Sequence, residues 1–321
     1  DNGGLESITI LGSVQFGKNV FNDDKKLNTI NLFGNEVNFG NHVFNGALSL
    51  TTVNLLGNEV TFGTEVFKGC TSITSVGFGS KNVVNAFNSA YTNKASITSV
   101  TLSETVKGNE FQESAFFSYT NLASVELHSN SVVSNFRTIF ANLQSSIQSL
   151  SIGDGVTEIG TNSFTNCSNL ISVTIGNTVS IIGAYAFKNA TLIEVEIGEN
   201  VETIGEAAFS TSTNLKNVTV PASVKSIEDW AFDNYNGLES ITILGSVEFG
   251  RNVFNDDKKL NTINLFGNEV TFGNHVFNGA SSLTTVNLLG NEVTFGSEVF
   301  KGCTSITSVG FGSKNVVNAF N

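Results

Sequence analysis

Along this chain apolar and polar residues alternate in short bursts rather than long runs. The most regular burst is six residues long: Leu or Ile, two variable positions, then apolar, polar, apolar, as in Leu5-Glu-Ser-Ile8-Thr-Ile10 and Leu170-Ile-Ser-Val173-Thr-Ile175. Its last three residues have the two-residue period of a half-buried strand. It occurs fourteen times, beginning at Leu5, Leu27, Leu50, Ile73, Ile97, Leu122, Ile147, Leu170, Leu192, Leu215, Leu238, Leu260, Leu283 and Ile306, at spacings of 22 to 25 residues. A period in the twenties predicts a solenoid in which each coil contributes one short strand. Strands that run the same way and lie a full coil apart must pair in parallel, about 4.8 Å apart. Fourteen such coils predict a stack on the order of 65 Å along the strand side.

The rest of each coil has its own columns. A Phe recurs at Phe21, Phe44, Phe67, Phe87, Phe116, Phe140, Phe164, Phe187, Phe209, Phe232, Phe254, Phe277, Phe300 and Phe320, which predicts a stacked aromatic spine. Two residues beyond it the chain repeatedly places Gly or Asn (Gly46, Gly69, Asn142, Asn166, Asn189, Asn234, Gly279, Gly302). These residues tolerate a left-handed backbone, so a short helical turn is expected to stop there. About five residues ahead of the Phe lies another apolar column, Phe16, Phe39 and Phe62 in outer coils and Ile159, Ile182, Ile204 and Ile227 in the middle. Each coil therefore reads as strand, turn, a second extended piece, and one short turn carrying the Phe.

A longer repeat overlies the short one. Residues 4–88 return at 237–321, displaced by 233 residues, with five differences: Gln15/Glu248, Lys18/Arg251, Asn38/Thr271, Leu48/Ser281 and Thr64/Ser297. The expectation is one uncapped solenoid over residues 1–321, built on a ten-coil unit and forming a segment of a longer array or of a fibre of chains stacked end to end. The chain contains no Met, so a leader or further repeats are expected to precede Asp1.

The middle coils resemble a known family. Val156-Thr-Glu-Ile-Gly160 with Ser163-Phe164-Thr-Asn-Cys-Ser-Asn-Leu170, Val179 to Gly183 with Ala186-Phe187, and Val220-Pro221-Ala-Ser-Val224-Lys-Ser-Ile227 with Ala231-Phe232 are similar to the BspA-like leucine-rich repeats. That family's pattern is roughly I-P-x-x-V-x-x-I-G-x-x-A-F-x-x-C-x-x-L. The outer coils depart from it, writing Gly-Asn-Glu-Val-Asn/Thr-Phe-Gly in place of the Pro-x-x-Val-x-x-Ile-Gly segment, and the coils from Val83 and Val106 are irregular. The resemblance implies a right-handed α/β leucine-rich-repeat solenoid, with a parallel sheet on one face and short helical turns on the other. It also implies a secreted or surface protein associated with adhesion, and it brings no catalytic residues.

Composition narrows the function classes. With 40% apolar residues and 27 Phe the chain can bury a continuous core. A net charge of -12 would repel a polyanion, and no basic cluster offers phosphate contacts, so nucleic acid is not an expected partner. No run of 18 apolar residues occurs, so no membrane-inserted helix is expected. Cys70, Cys167 and Cys303 share one coil position and are expected to be small buried hydrophobes.

The position before the central strand residue is Ser or Thr in twelve of fourteen coils, with Glu194 and Asn217 the exceptions. Beside this hydroxyl ladder runs a second polar column. The candidate contact surface, for a protein or a glycan, is centred on Ser99, Thr101, Ser124, Glu126, Ser149, Ser151, Ser172 and Thr174; short hydroxyls also simply suit an exposed parallel strand. A pocket, if present, is expected between Ile97 and Asn142, near Phe111, Phe116, Phe117 and Tyr119. Asn166, Asn189 and Asn217 begin N-glycosylation triplets. Glu36 and Glu59, and Glu269 and Glu292, are expected to stack, with Asp23-Asp24 and Asp256-Asp257 in neighbouring turns, but the spacing of a calcium loop is absent. His42, His128 and His275 have no ligand set in the sequence, and neither a metal nor a cofactor is expected. No nucleophile elbow, phosphate loop or catalytic carboxylate pair is present. The functional expectation is a non-enzymatic extracellular or cell-surface scaffold, structural or adhesive, with a soluble recognition module binding on the strand face as the alternative.

Overall fold

The alternation of each six-residue burst sends one set of side chains into a core and the other to water, and each burst forms a strand at the expected place. The computed structural model describes residues 4–234 and 237–316. The chain packs as two compact units, Asp1–Ile147 and Gln148–Asn321.

In the first unit the face sheet runs through Ser7–Ile10, Thr29–Leu32, Thr52–Leu55, Ser75–Phe78, Ser99–Leu102 and Ser124–Leu127, each strand parallel to the one before. A second parallel sheet, the extended piece expected on the flank, joins Val14–Phe16, Glu36–Phe39 and Glu59–Phe62. In the second unit the face strands Ser149–Ile152, Ser172–Ile175 and Glu194–Glu196 form one ladder, and Asn217–Val220, Ser240–Ile243, Thr262–Leu265, Thr285–Leu288 and Ser308–Phe311 form another. Its flank sheet continues without interruption through seven strands from Glu158–Ile159 to Glu292–Thr294. All fourteen sequence markers thus carry a strand, separated by thirteen turns of the chain.

The Phe column is the spine. Phe164, Phe187, Phe209 and Phe232 are fully buried, with centroids 5.2 to 5.3 Å apart and rings within 14° of parallel. Phe21, Phe44 and Phe67 stack likewise at 5.5 and 5.8 Å, and Phe320 lies outside the described residues. In the outer coils Phe16, Phe39 and Phe62 add a second stack at 5.1 Å, which the middle coils replace with Ile159, Ile182 and Ile204 in register.

The turns that carry the Phe differ from the short helices expected. In regular coils they are two overlapping tight turns, with left-handed residues two before and two after the Phe: His42 (φ 58°) and Gly46 (φ 77°) around Phe44, Tyr185 (58°) and Asn189 (61°) around Phe187. Alternate backbone amides then point along the stack, as His42 N, Phe44 N and Gly46 N donate to Thr64 O, Val66 O and Lys68 O at 2.8 to 3.0 Å. An α-helix would turn those donors inward to the fourth preceding carbonyl and forfeit this coil-to-coil ladder. Asn234, at the same position, is fully buried. Helices occur where the coils are irregular, as α1 (Lys81–Ala90), α2 (Asn130–Ser134), α3 (Phe136–Ile139) and two short 3₁₀ turns, and residues 314–316, the copy of the start of α1, are helical too. The N-terminus of α1 is capped by Ser80, whose hydroxyl accepts from Val83 N at 3.2 Å.

Candidate binding face

On the face strands every second side chain points outward, so parallel register converts sequence columns into spatial rows. Ser99 pairs with Ser124 and Thr101 with Glu126 in the first unit. In the second, Ser149 pairs with Ser172 and Ser151 with Thr174. All eight predicted face residues are exposed or half-exposed, and they fall four to each unit. Row members interact: the Thr101 hydroxyl donates to Glu126 Oε2 at 3.2 Å, and the His128 ring lies 3.0 Å from Glu126 Oε1.

His42 and His275 each have a carboxylate neighbour that the chain order conceals. His42 Nδ1 is 3.4 Å from Glu65 and His275 Nδ1 is 3.3 Å from Glu298, each contributed by the next coil. One carboxylate apiece does not make a ligand set, and no group of three or more His, Cys, Asp or Glu side chains among the described residues is placed to hold a metal ion. Glu36 and Glu59, and Glu269 and Glu292, do stack in register.

Of the four aromatics expected near a pocket between Ile97 and Asn142, Phe117 lines a cavity of about 350 Å³ with Asn88, Lys94 and Ser118, and the other three do not. Phe111, Phe116 and Tyr119 are buried as core, while Phe117 is 72% exposed. The same coils also border a polar groove of about 620 Å³ lined by Glu59, Ser80, Thr105, Lys107, Glu110 and Ser131. A second departure has only a faint signal in the sequence. The face ladder breaks between Glu194–Glu196 and Asn217–Val220, at the two coils that lack the column hydroxyl. Pro221, which has no N–H, closes the latter strand. A cleft of about 310 Å³ lies there, lined by Glu196, Ile197, Asn217, Thr219, Pro221 and Leu244.

Asn166, Asn189 and Asn217 are all exposed, and none is free-standing. The Asn189 amide donates to Asn166 Oδ1 at 2.7 Å, Thr211 donates to Asn189 Oδ1, and Asn217 Oδ1 accepts from Ser240 at 2.7 Å. The thiols of Cys70 and Cys303 donate to Phe44 O and Phe277 O, and burial pushes them up to about 12 and about 11. Cys70 and Cys167 are buried, whereas Cys303 is half-buried. No described helix is long and apolar enough to cross a membrane.

A family model for the BspA type leucine rich repeat region matches the chain in six copies, over residues 1–116, 84–216 and 180–307. Among solved structures, a leucine rich cell surface protein from Faecalibacterium prausnitzii is 20% identical, with 97% of this chain and 82% of that one covered and a TM-score of 0.34. A leucine-rich repeat protein from Bacteroides ovatus is 17% identical over 94% and 81% of the two chains, with a TM-score of 0.37. A leucine rich repeat protein from T. pallidum is 21% identical over 50% and 78%, with a TM-score of 0.33. No curated protein matches the sequence.

Proposed function

Because the chain belongs to the BspA type leucine rich repeat family, we propose that it is a non-enzymatic scaffold working outside the cell or on its surface, and that it adheres through its strand face. The observation that carries this reading is the pair of outward polar rows held in strict parallel register, such as Ser149 on Ser172 and Ser151 on Thr174. They make a flat, solvent-facing surface on a rigid support, which suits contact with an extended protein or glycan. The block copying of residues 4–88 at 237–321 supports a chain selected for length and repetition. A chemistry built on one active centre would gain nothing from it.

The test is adhesion of beads coated with the protein to cultured epithelial cells. Ser149→Lys with Ser172→Lys puts two long cations on the face without touching the core. The double variant should fold, with an unchanged far-UV spectrum, and should lose bead retention. Full retention by the folded double variant, or no retention by the wild type, would refute the reading.

A second reading, a recognition module for one ligand, is favoured by the cleft at the break beside Asn217–Val220. A module of that kind needs a local departure from regularity, and filling this one with Thr219→Trp should abolish binding while leaving the rows intact.

A further inference from the structure

The outward rows carry charge at only some of the coils. They carry Glu6, Glu126, Glu194, Glu196, Lys216 and Glu239, while segments 98–103, 148–153 and 171–176 are uncharged. In segments 28–33, 51–56 and 74–79 of the first unit, and in their copies 261–266, 284–289 and 307–312, they carry no Asp, Glu, Lys or Arg at all. In a chain with 28 acidic residues these two copied strips are uncharged over three successive coils, with Glu6 and Glu239 on the coil before each.

These strips share one internal construction. The Asn54 amide donates to Asn31 Oδ1 at 2.8 Å, and the Asn31 amide reaches Thr9 Oγ1 at 3.4 Å. In the second unit Asn287, Asn264 and Thr242 repeat the row at 2.8 and 3.4 Å. The row ends over a glycine: a Cβ at Gly77 would come within 2.5 Å of Asn54 Oδ1, and one at Gly310 within 2.6 Å of Asn287 Oδ1. Glycine there clears space for the amide oxygen. Each strip has an exposed Phe beside the row, Phe33 at 47% exposure in the first unit and Phe266 at 50% in the second.

We infer that each strip is a binding site for a neutral polysaccharide. The inference rests on the strand-face reading above and names the ligand chemistry and place within it. A row of amides and hydroxyls offers donors and acceptors in alternation, which matches the vicinal hydroxyls of a sugar. The exposed Phe ring beside it offers a surface for the sugar's C–H face. The absence of charge disfavours an anionic glycan, and the absence of Arg and Lys disfavours nucleic acid. Protein hot spots are typically Trp, Tyr or Arg, and the strips have none. Parallel strands repeat about every 4.8 Å, so successive rows meet successive units of an extended polymer. The duplication gives each chain two such sites.

Affinity electrophoresis tests this, with the protein run through gels containing mixed-linkage β-glucan, α-mannan or galactomannan, and through heparin gels as the anionic control. At least one neutral polymer should retard the wild type, and heparin should not. Phe33→Ala with Phe266→Ala removes both rings at half-exposed positions and should weaken retardation at least tenfold. Asn54→Asp with Asn287→Asp, which adds charge to both rows, should do the same. Either single Phe variant should halve the stoichiometry measured by titration calorimetry. No retardation by any of the three polymers, equal retardation of both double variants, or retardation by heparin alone overturns the inference. If beads still adhere to cells while no neutral polymer retards the protein, only this inference falls, in favour of a protein partner; if neither occurs, the adhesion reading falls as well.

Discussion

Phe187→Ala is the most direct probe of what holds the coils together. Phe187 is fully buried and stacked between Phe164 and Phe209 at 5.3 Å on both sides, with interplanar angles of 14° and 8°. Truncating such a ring loses its transfer free energy and leaves a cavity that flanking coils cannot close without breaking their ladders, roughly 3 to 5 kcal/mol. The two ring contacts, each worth about 0.5 to 1.5 kcal/mol, push the expectation to the upper half of that range. Ile181→Ala, at a 39% exposed position in the same coil, should cost far less. In a solenoid each coil touches only its neighbours, so the loss should be local. Urea unfolding gives the size, and hydrogen exchange gives the place. Amides of Ser172–Ile175 and Glu194–Glu196 should exchange faster, while those of Thr29–Leu32 keep their protection. An equal rise in both regions, or a cost below about 1 kcal/mol, would refute the stacked-spine argument.

Asp233 and Asp257 are buried carboxyls; burial, with Asp256 as a second cause, raises Asp233 to about 6, and burial together with Asp233 raises Asp257 well above the usual range. Both hold their protons more tightly folded than unfolded, so their penalty is absent below the usual carboxylate range and grows as pH rises through the folded values. The melting temperature should therefore fall between roughly pH 4 and pH 6.5, and Asp257→Asn should flatten that fall and raise the melting temperature at neutral pH; an unchanged profile would contradict it. Gly57→Ala places a Cβ 1.8 Å from Gly34 O, so neighbouring coils must separate. The variant should lose several kcal/mol or fail to fold, and a circular-dichroism melt that matched the wild type would disprove the close approach.

The solenoid was legible because burial acts on alternate residues: Ile30 and Leu32 are fully buried while Thr29 and Asn31 are half-exposed, and the same alternation holds in Thr52–Leu55, Thr262–Leu265 and Thr285–Leu288. The left-handed residues after the Phe were legible too, because Gly46 and Asn189 are residue types that favour that backbone. Their partners two residues ahead of the Phe were not. Glu65, Tyr185 and Trp230 carry no left-handed signature and are held there by coil-to-coil hydrogen bonds, as Trp230 N is by Arg251 O at 3.0 Å. The same limit hid the site's neighbours. Glu65 reaches His42 from 23 residues away, and the broken ladder at Glu194 and Asn217 depends on how two coils meet rather than on either coil alone.

The duplicated segment isolates that dependence on neighbours. Asp24 and Asp257 occupy the same place in near-identical sequences, and both are buried, 3% and 0% exposed. Asp24 Oδ1 accepts from Lys26 N and Leu27 N at 3.2 and 3.3 Å and closes its own turn. Asp257 lies in reach of Asp233 on the preceding coil, and burial and that charge together favour its neutral form. Copying a block of coils preserves each coil's fold, since that is written in its alternation. It does not preserve the chemistry at the join, because nearest-neighbour terms belong to pairs of coils. The neutral strips escape this: their amide rows and exposed Phe rings lie within the copied block, and the rows reappear with the same hydrogen-bond lengths. A feature carried inside the block is duplicated as a working unit, whereas one spanning the join is made anew.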